Sequence, residues 1–370
     1  MKSLAQVLNR FGDAYSQRYG WTPEQAKVAG CIRACRTPKL GGVEYRCEHC
    51  GSVHIRYCSC RNRHCPKCQQ QATKQWRRQQ QQALLPVAYF HLVFTLPHEL
   101  NGWVRLHPDV IYRCMFQSVW QTLKAFGEDP KRLDGQLGVT AVLHTWGQQL
   151  DQHVHLHCIV PAGAWSKAEQ SWHSATSNYL FPVTALSRCY RGKMVSALRA
   201  AWKNEALHRV SSAREVSQRL QRVMQTDWVV YTKACHDAKD VLDYLSRYTH
   251  KVALSESRIM ATGQEHVQFR WKDYRDHRQK VMRLSGVEFL RRFFQHVLPK
   301  GFMRIRHYGF LSNRWRRESI REIRVALQIP LEPENKPAPP LTEQTWVCRD
   351  CKVKAVRRVV WLKPAVVQRE

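Results

Sequence analysis

No apolar run in the chain approaches the roughly 18 residues that a membrane-spanning helix needs. No charged-then-apolar leader with a cleavage site opens it either, so a cytoplasmic protein with no membrane partner is the expectation. Glycine-rich loops that cradle nucleotide phosphates are also missing, which argues against a bound nucleotide cofactor. Acidic residues are scarce. Only 29 Asp and Glu face 59 Lys and Arg, which leaves a formal charge of +30 and a pI near 10.0. That excess exceeds what solubility requires and points to a polyanionic partner, with nucleic acid the first choice and a nucleoid association the consequence.

Cysteine is not scarce. Of 14 cysteines, eight fall between Cys31 and Cys68 in close pairs, the pattern of metal ligands kept reduced rather than of disulfides. At 370 residues and 43.4 kDa the chain has room for two or three domains. Its 44% hydrophobic content, with 13 Trp, 13 Tyr and 12 Phe, supplies a real core and excludes wholesale disorder.

Leu4, Val7, Leu8 and Phe11 recur at helical spacing, so residues 1–30 read as helix leading into the cysteine cluster. A Gln- and Arg-rich stretch at 69–82 has no Gly or Pro to break a helix, and Pro86 stops it. Residues 89–97, 138–146 and 153–161 are β-branched and aromatic runs, read as strands. The connection 147–152 is short enough to pair the last two antiparallel, and about 105–130 is amphipathic helix. After Gly163 the chain reads as mostly helical, with one strand-like piece at 228–232 and a helix around 240–248. Strands and helices mix without strict alternation, which favours an α+β fold around an antiparallel sheet. Residues 330–340 form a Pro-rich linker before a basic tail with one more cysteine pair. The resulting division is 1–85 for the helix, cysteine module and basic linker helix, 86–329 for the main domain, and 330–370 for linker and tail.

Cys47 and Cys50, then Cys65 and Cys68, form two Cys-x-x-Cys knuckles separated by 14 residues. Each delivers two thiolates from a tight turn, and four close a tetrahedron on a structural zinc with no open position for catalysis. Cys31, Cys35, Cys58, Cys60, His54 and His64 suffice for a second site, so one or two zinc ions are expected. Spacing does not say which residues join it. Arg56, Arg61, Arg63, Lys67, Lys74, Arg77 and Arg78 surround and follow the knuckles as a cationic face suited to phosphates. Cys348 and Cys351 are only half of a zinc ribbon, and with its second half missing metal binding there is not expected.

His153, His155 and His157 alternate with Val154 and Leu156, which sets three imidazoles on one face of a strand. Eighteen histidines make about one His-x-His pair by chance, so the triple carries the weight. Tyr244 and Tyr248 at i, i+4 share a helical face, as do Tyr15 and Tyr19, and spacing does not choose between the pairs.

The choice comes from a resemblance. His155-Leu-His157-Cys-Ile-Val-Pro, Tyr244-Leu-Ser-Arg-Tyr248-Thr-His-Lys-Val-Ala, His296-Val-Leu-Pro-Lys-Gly-Phe, Arg304-Ile-Arg-His-Tyr-Gly and Cys60-Arg-Asn-Arg-His-Cys-Pro-Lys-Cys68 occur in order across about residues 30–320. Together they resemble the two-tyrosine rolling-circle transposases of the insertion sequence 91 family. The resemblance implies a histidine-hydrophobic-histidine (HUH) nuclease core with a ferredoxin-like palm, an N-terminal zinc module and a helical C-terminal part. It implies that His155 and His157 hold Mg2+ or Mn2+ but leaves the third ligand open, for which His144, on the strand expected to pair with the histidine strand, and His153 are the candidates. Tyr244 and Tyr248 become the nucleophiles and Tyr15 and Tyr19 ordinary helix residues. Arg247 and Lys251 would ease phenolate formation, since a phenol's pKa lies near 10.

The implied reaction is nicking and transfer of single-stranded transposon ends through 5′-phosphotyrosine bonds. Arg304, Arg306 and Arg314, beside Trp315, join Arg61, Arg63, Lys67, Arg77, Arg78 and Lys251 as candidate DNA contacts. A replication initiator or conjugative relaxase would share the chemistry but not the transfer, and a zinc-dependent DNA-binding regulator would form no adduct. Monomer and dimer both remain open.

Overall fold

The computed structural model describes residues 3–68, 84–175, 179–210, 212–235, 253–330 and 346–364. The expected helices at 69–82 and 240–248, and residues 331–340 of the expected linker, lie outside the described residues. In chain order the elements begin with helices α1 (Leu4–Tyr19) and α2 (Pro23–Ala34) and strands β1 (Gly42–Cys47) and β2 (Val53–Tyr57). Strand β3 (Tyr89–Thr95), the short helix α3 (Asn101–Leu106) and helix α4 (Pro108–Gly127) come next. Strands β4 (Gly138–Trp146), β5 (Gln152–Pro161), β6 (Gly163–Ser166) and β7 (Ser171–Ser174) follow. Helices α5 (Val183–Lys203) and α6 (Ala213–Gln225) precede β8 (Val230–Cys235), β9 (Ile259–Thr262), β10 (His266–Lys272) and β11 (Gln279–Ser285). Helix α7 (Gly286–Phe294), β12 (Ile305–Gly309), α8 (Arg316–Ala326), β13 (Trp346–Val347) and β14 (Lys354–Leu362) complete the series.

The architecture is α+β with antiparallel sheets, divided into two units. One comprises Met1–Gln71, Leu254–Arg291 and Glu332–Glu370, and the other Ala72–Ala253 and Arg292–Leu331. The expected division at 85 and 329 therefore differs from the folded one. The C-terminal tail belongs with the N-terminal module through the pairing of β14 with β1, and residues 254–291 join it by packing on α1, where Phe11 meets Gly286 and the Leu4 N–H donates to Glu256.

In the first unit the single helix expected over residues 1–30 is two. Ser3 and Gln6 form a capping box on α1, and Thr22 and Gln25 form another on α2, whose first residue is Pro23. Between them Gly20 takes a positive φ of 68°. Two sheets complete this unit, in orders β13-β14-β1-β2 and β11-β10-β9. The second sheet falls where the sequence reads as mostly helical. Its period-2 pattern is present in β10, where Val267 and Phe269 are buried between polar neighbours. Strand β11 hides the pattern, since Val281 is 54% exposed among Gln279, Lys280 and Arg283.

The second unit is built on one five-stranded antiparallel sheet, order β12-β4-β5-β3-β8. The three runs expected as strands lie side by side as β4, β5 and β3, and the piece expected at 228–232 is β8, shifted to Val230–Cys235. Alternation assigns the faces. Phe90, Leu92 and Phe94 of β3, Val139, Ala141 and Leu143 of β4, and Val154, Leu156, Cys158 and Val160 of β5 enter one core. Ile111, Met115, Phe116, Val119 and Leu123 of α4 and Leu186, Tyr190, Met194 and Leu198 of α5 fill the other side of that core. The opposite parity carries His91, His144, His155 and His157. Gly309 at the end of β12 has φ 60°, and a Cβ there would stand 1.6 Å from the Leu137 carbonyl oxygen, so only glycine closes that edge.

Candidate functional site

The β4–β5 hairpin assembles the histidines. His144 is the direct cross-strand partner of His155, Leu143 pairs Leu156, and Val142 pairs His157, so His144 stands between the two β5 imidazoles. A bulge between His144 and Trp146 follows, and Trp146 stacks on the His144 ring at 4.7 Å. Ring centroids are 5.4 Å apart for His144 and His155, and 4.5 Å for His144 and His157. One nitrogen from each of the three comes within 4.8 Å of the others. Of the two candidates for a third partner, His144 joins the group and His153 does not.

Hydrogen bonds orient two of these rings. His155 Nδ1 lies 2.9 Å from the His153 carbonyl oxygen and must donate its proton there, which leaves Nε2 with its lone pair. Burial pushes the His155 imidazole down to about 4, so it is neutral at physiological pH. His157 Nδ1 lies 2.9 Å from His91 Nε2, and the two rings stack with centroids 5.1 Å apart. His91 sits on β3, 1% exposed, and burial drives it down to about 3. Sequence reading missed His91. Its signal was parity alone, a lone histidine between Phe90 and Leu92 on a strand whose partner had to be known first. Three imidazoles within 4.8 Å of one another suit a divalent ion, with Mn2+ or Zn2+ favoured over Mg2+ by ligand softness.

The cysteines do not group as the sequence suggests. Cys65 and Cys68 join Cys35 and Cys60, whereas Cys47 and Cys50 join Cys348 and Cys351. The tetrahedron expected from Cys47, Cys50, Cys65 and Cys68 is therefore corrected, and so is the reading of Cys348 and Cys351 as a half without a partner. Strand β1 leads away from Cys35 and ends at Cys47 opposite Val356 of β14, which parts the two knuckles. In the first group Sγ atoms of Cys35 and Cys68 are 3.5 Å apart and those of Cys60 and Cys68 3.6 Å. Sulfurs about 2.3 Å from a shared zinc stand about 3.8 Å apart in a tetrahedron, so the donor set fits structural zinc. The hydrogen bond from Cys65 pulls the Cys60 thiol down to about 5, so a thiolate forms readily there. Among the described residues Cys31, Cys58 and His64 join neither group.

Of the expected DNA contacts, Arg61 and Arg314 are exposed, and Arg314 lies over the Trp315 ring at 4.6 Å. Arg63 and Lys67 are half-buried, and burial lowers the Arg63 pKa. Arg306 packs over Phe116 at 4.2 Å and Phe302 at 5.2 Å. Arg304 is buried, at 8% exposure. Tyr244, Tyr248, Arg247, Lys251, Arg77 and Arg78 lie outside the described residues. Tyr15, of the rival pair, is 3% exposed and packs on Trp21 at 4.6 Å, with burial raising its pKa. Among the described residues no helix is long and apolar enough to cross a membrane.

Two family models match the chain. One described as "Putative transposase" covers residues 138–319, and one described as "Transposase zinc-binding domain" covers residues 7–96. A Sinorhizobium fredii (strain NBRC 101917 / NGR234) protein named "Putative transposase y4qJ" is 39% identical over 356 residues, covering 94% of this chain and 88% of that protein. The "Transposase for insertion sequence element IS801" of Pseudomonas savastanoi pv. phaseolicola is 28% identical over 303 residues, covering 76% of this chain and 68% of that protein.

Proposed function

The chain belongs to the insertion sequence 91 family of transposases, and from that premise we propose that it nicks and rejoins single-stranded DNA through 5′-phosphotyrosine bonds on Tyr244 and Tyr248. The observation that carries the reading is the convergence of His144, His155 and His157 on the sheet face opposite the helices. These three imidazoles would hold a divalent ion, Mg2+ or Mn2+, which when bound supplies a positive charge against the scissile phosphate. The tyrosine phenol loses its proton, its oxygen bonds to phosphorus in line, and the bond from phosphorus to the 3′-oxygen breaks. That 3′-oxygen takes up a proton and leaves as a hydroxyl. The phosphodiester energy is conserved in the tyrosine ester, so rejoining is the same step reversed and needs no nucleotide. A second tyrosine lets one DNA end be held while another is cut. Arg247 and Lys251 lie in sequence beside the tyrosines and favour the phenolate by charge. Exposed cations beside aromatic rings, as at Arg314 and Trp315, suit unstacked single strands.

The test is incubation with Mg2+ or Mn2+ and single-stranded oligonucleotides from the DNA flanking the gene, followed by denaturing gels. A covalent adduct is expected with the wild type and with Tyr15→Phe, and none with the Tyr244→Phe, Tyr248→Phe double variant. Tight binding with no adduct on any end would sink the catalytic reading in favour of a zinc-dependent DNA-binding regulator.

A further inference from the structure

The family match to a zinc-binding domain ends at residue 96, yet two cysteines that lie beyond residue 340 close a group of four with two that lie inside it. We propose that Cys47, Cys50, Cys348 and Cys351 bind a second structural zinc ion, which fastens the C-terminal tail onto the N-terminal module. The inference stands on sulfur geometry and is independent of the proposed DNA chemistry.

Sγ of Cys47 lies 3.7 Å from Sγ of Cys351, and Sγ of Cys50 lies 3.7 Å from Sγ of Cys348, matching the edge of about 3.8 Å expected of a zinc tetrathiolate. All four cysteines are free thiols. The two turns repeat one geometry. After the second cysteine, Gly51 (φ 74°) and Lys352 (φ 64°) are both left-handed, and their backbone N–H groups donate to the carbonyls of Cys47 and Cys348 at 2.9 and 3.1 Å. The N–H groups of those first cysteines donate in turn to the carbonyls of Ser52 and Val353 at 2.9 and 2.8 Å. Lysine adopts positive φ only at a cost in strain, so its presence there marks a turn held for a reason.

The backbone already brings the knuckles together. Strands β1 and β14 pair from Gly42↔Leu362 to Cys47↔Val356, and Glu48 N–H donates to the Ala355 carbonyl at 2.9 Å. Cys47 and Cys348, each 1% exposed, pack with Val356. His54 Nε2 sits 3.7 Å from Cys348 Sγ, placed to donate to a bound thiolate as an outer partner. The ion would join residues 298 apart in sequence, a loop whose closure costs chain entropy that metal binding offsets.

The experiment measures zinc per chain on the full-length protein by elemental analysis, alongside the absorption of its cobalt-substituted form. Wild type is expected to hold two sulfur-bound ions and Cys348→Ser/Cys351→Ser one, with sulfur-to-cobalt absorption, to which an ion at the histidine group adds nothing, halved. Cys35→Ser/Cys60→Ser should also hold one. Cys348→His keeps a ligand and guards against misfolding, so it should hold two ions with a cobalt spectrum moved from four-sulfur toward three-sulfur, one-nitrogen character. One sulfur-bound ion in the wild type, two in the Cys348→Ser/Cys351→Ser protein, or an unmoved spectrum in Cys348→His would each overturn the proposal.

Discussion

His157 needs its Nε2 lone pair to bind an ion, and the hydrogen bond at 2.9 Å between its Nδ1 and His91 Nε2 leaves that lone pair free when His157 is the donor. With His91 accepting, the proton stays on His157 Nδ1 and the ring cannot turn without losing the bond. Outer partners of this kind typically change metal affinity by 10- to 100-fold when removed. His91→Leu is therefore expected to weaken Mn2+ binding, measured by titration calorimetry, by about that factor, with His91→Gln recovering part of it through its side-chain oxygen. Equal affinity in wild type and His91→Leu would show that His91 is only packing. Parity of His91 was readable in the sequence, but its role was not, because the hydrogen bond joins residues 66 apart across a strand pairing that no local pattern specifies.

Among elements, the β4–β5 hairpin is the one on which the site depends, and a segment from another part of the chain secures it. His296, just beyond α7, is 3% exposed; its Nε2 donates to the Leu150 carbonyl at 3.2 Å and its Nδ1 accepts from the Thr145 hydroxyl at 3.2 Å. Burial holds this imidazole at about 4, below the value near 6.5 of an unfolded chain. The neutral ring is the one the fold accepts. Its contribution is complete above pH 6.5 and is lost as pH falls toward 4, because the unfolded chain takes up the proton first. The expected slope is about 1.4 kcal/mol per pH unit in that window. Denaturant midpoints measured between pH 7 and 5 should fall in the wild type and fall less steeply in His296→Gln. The hairpin itself was legible from its two β-branched runs and short connection. The sheet β9–β11 was not, because the exposed Val281 and the charges of β11 blur its alternation.

At the scale of the whole molecule, a charge of +30 makes phosphate contact the dominant long-range force and makes affinity for DNA fall with salt. For a single strand each neutralised phosphate contributes about 0.7 to the slope of log K against log salt. Exposed Arg61, beside the Cys35, Cys60, Cys65 and Cys68 group, is expected to supply one such contact. Arg61→Gln should then lower the slope by about 0.7 in a fluorescence anisotropy titration, and an unchanged slope would place the DNA elsewhere.

The amino-acid sequence by itself determined the chemical inventory: paired cysteines for zinc, histidines alternating along one strand, strand runs for an antiparallel sheet, and an overwhelming positive charge. These are local patterns or sums over composition, and neither depends on which distant segments meet. Tertiary structure alone decided the partners. It paired Cys47 and Cys50 with Cys348 and Cys351 instead of with Cys65 and Cys68, admitted His144 to the histidine group while leaving His153 out, and brought His91 to His157. Each of those outcomes is a matter of strand order and register, which arises from burying whole faces of the sheets at once and which residue spacing along the chain does not encode.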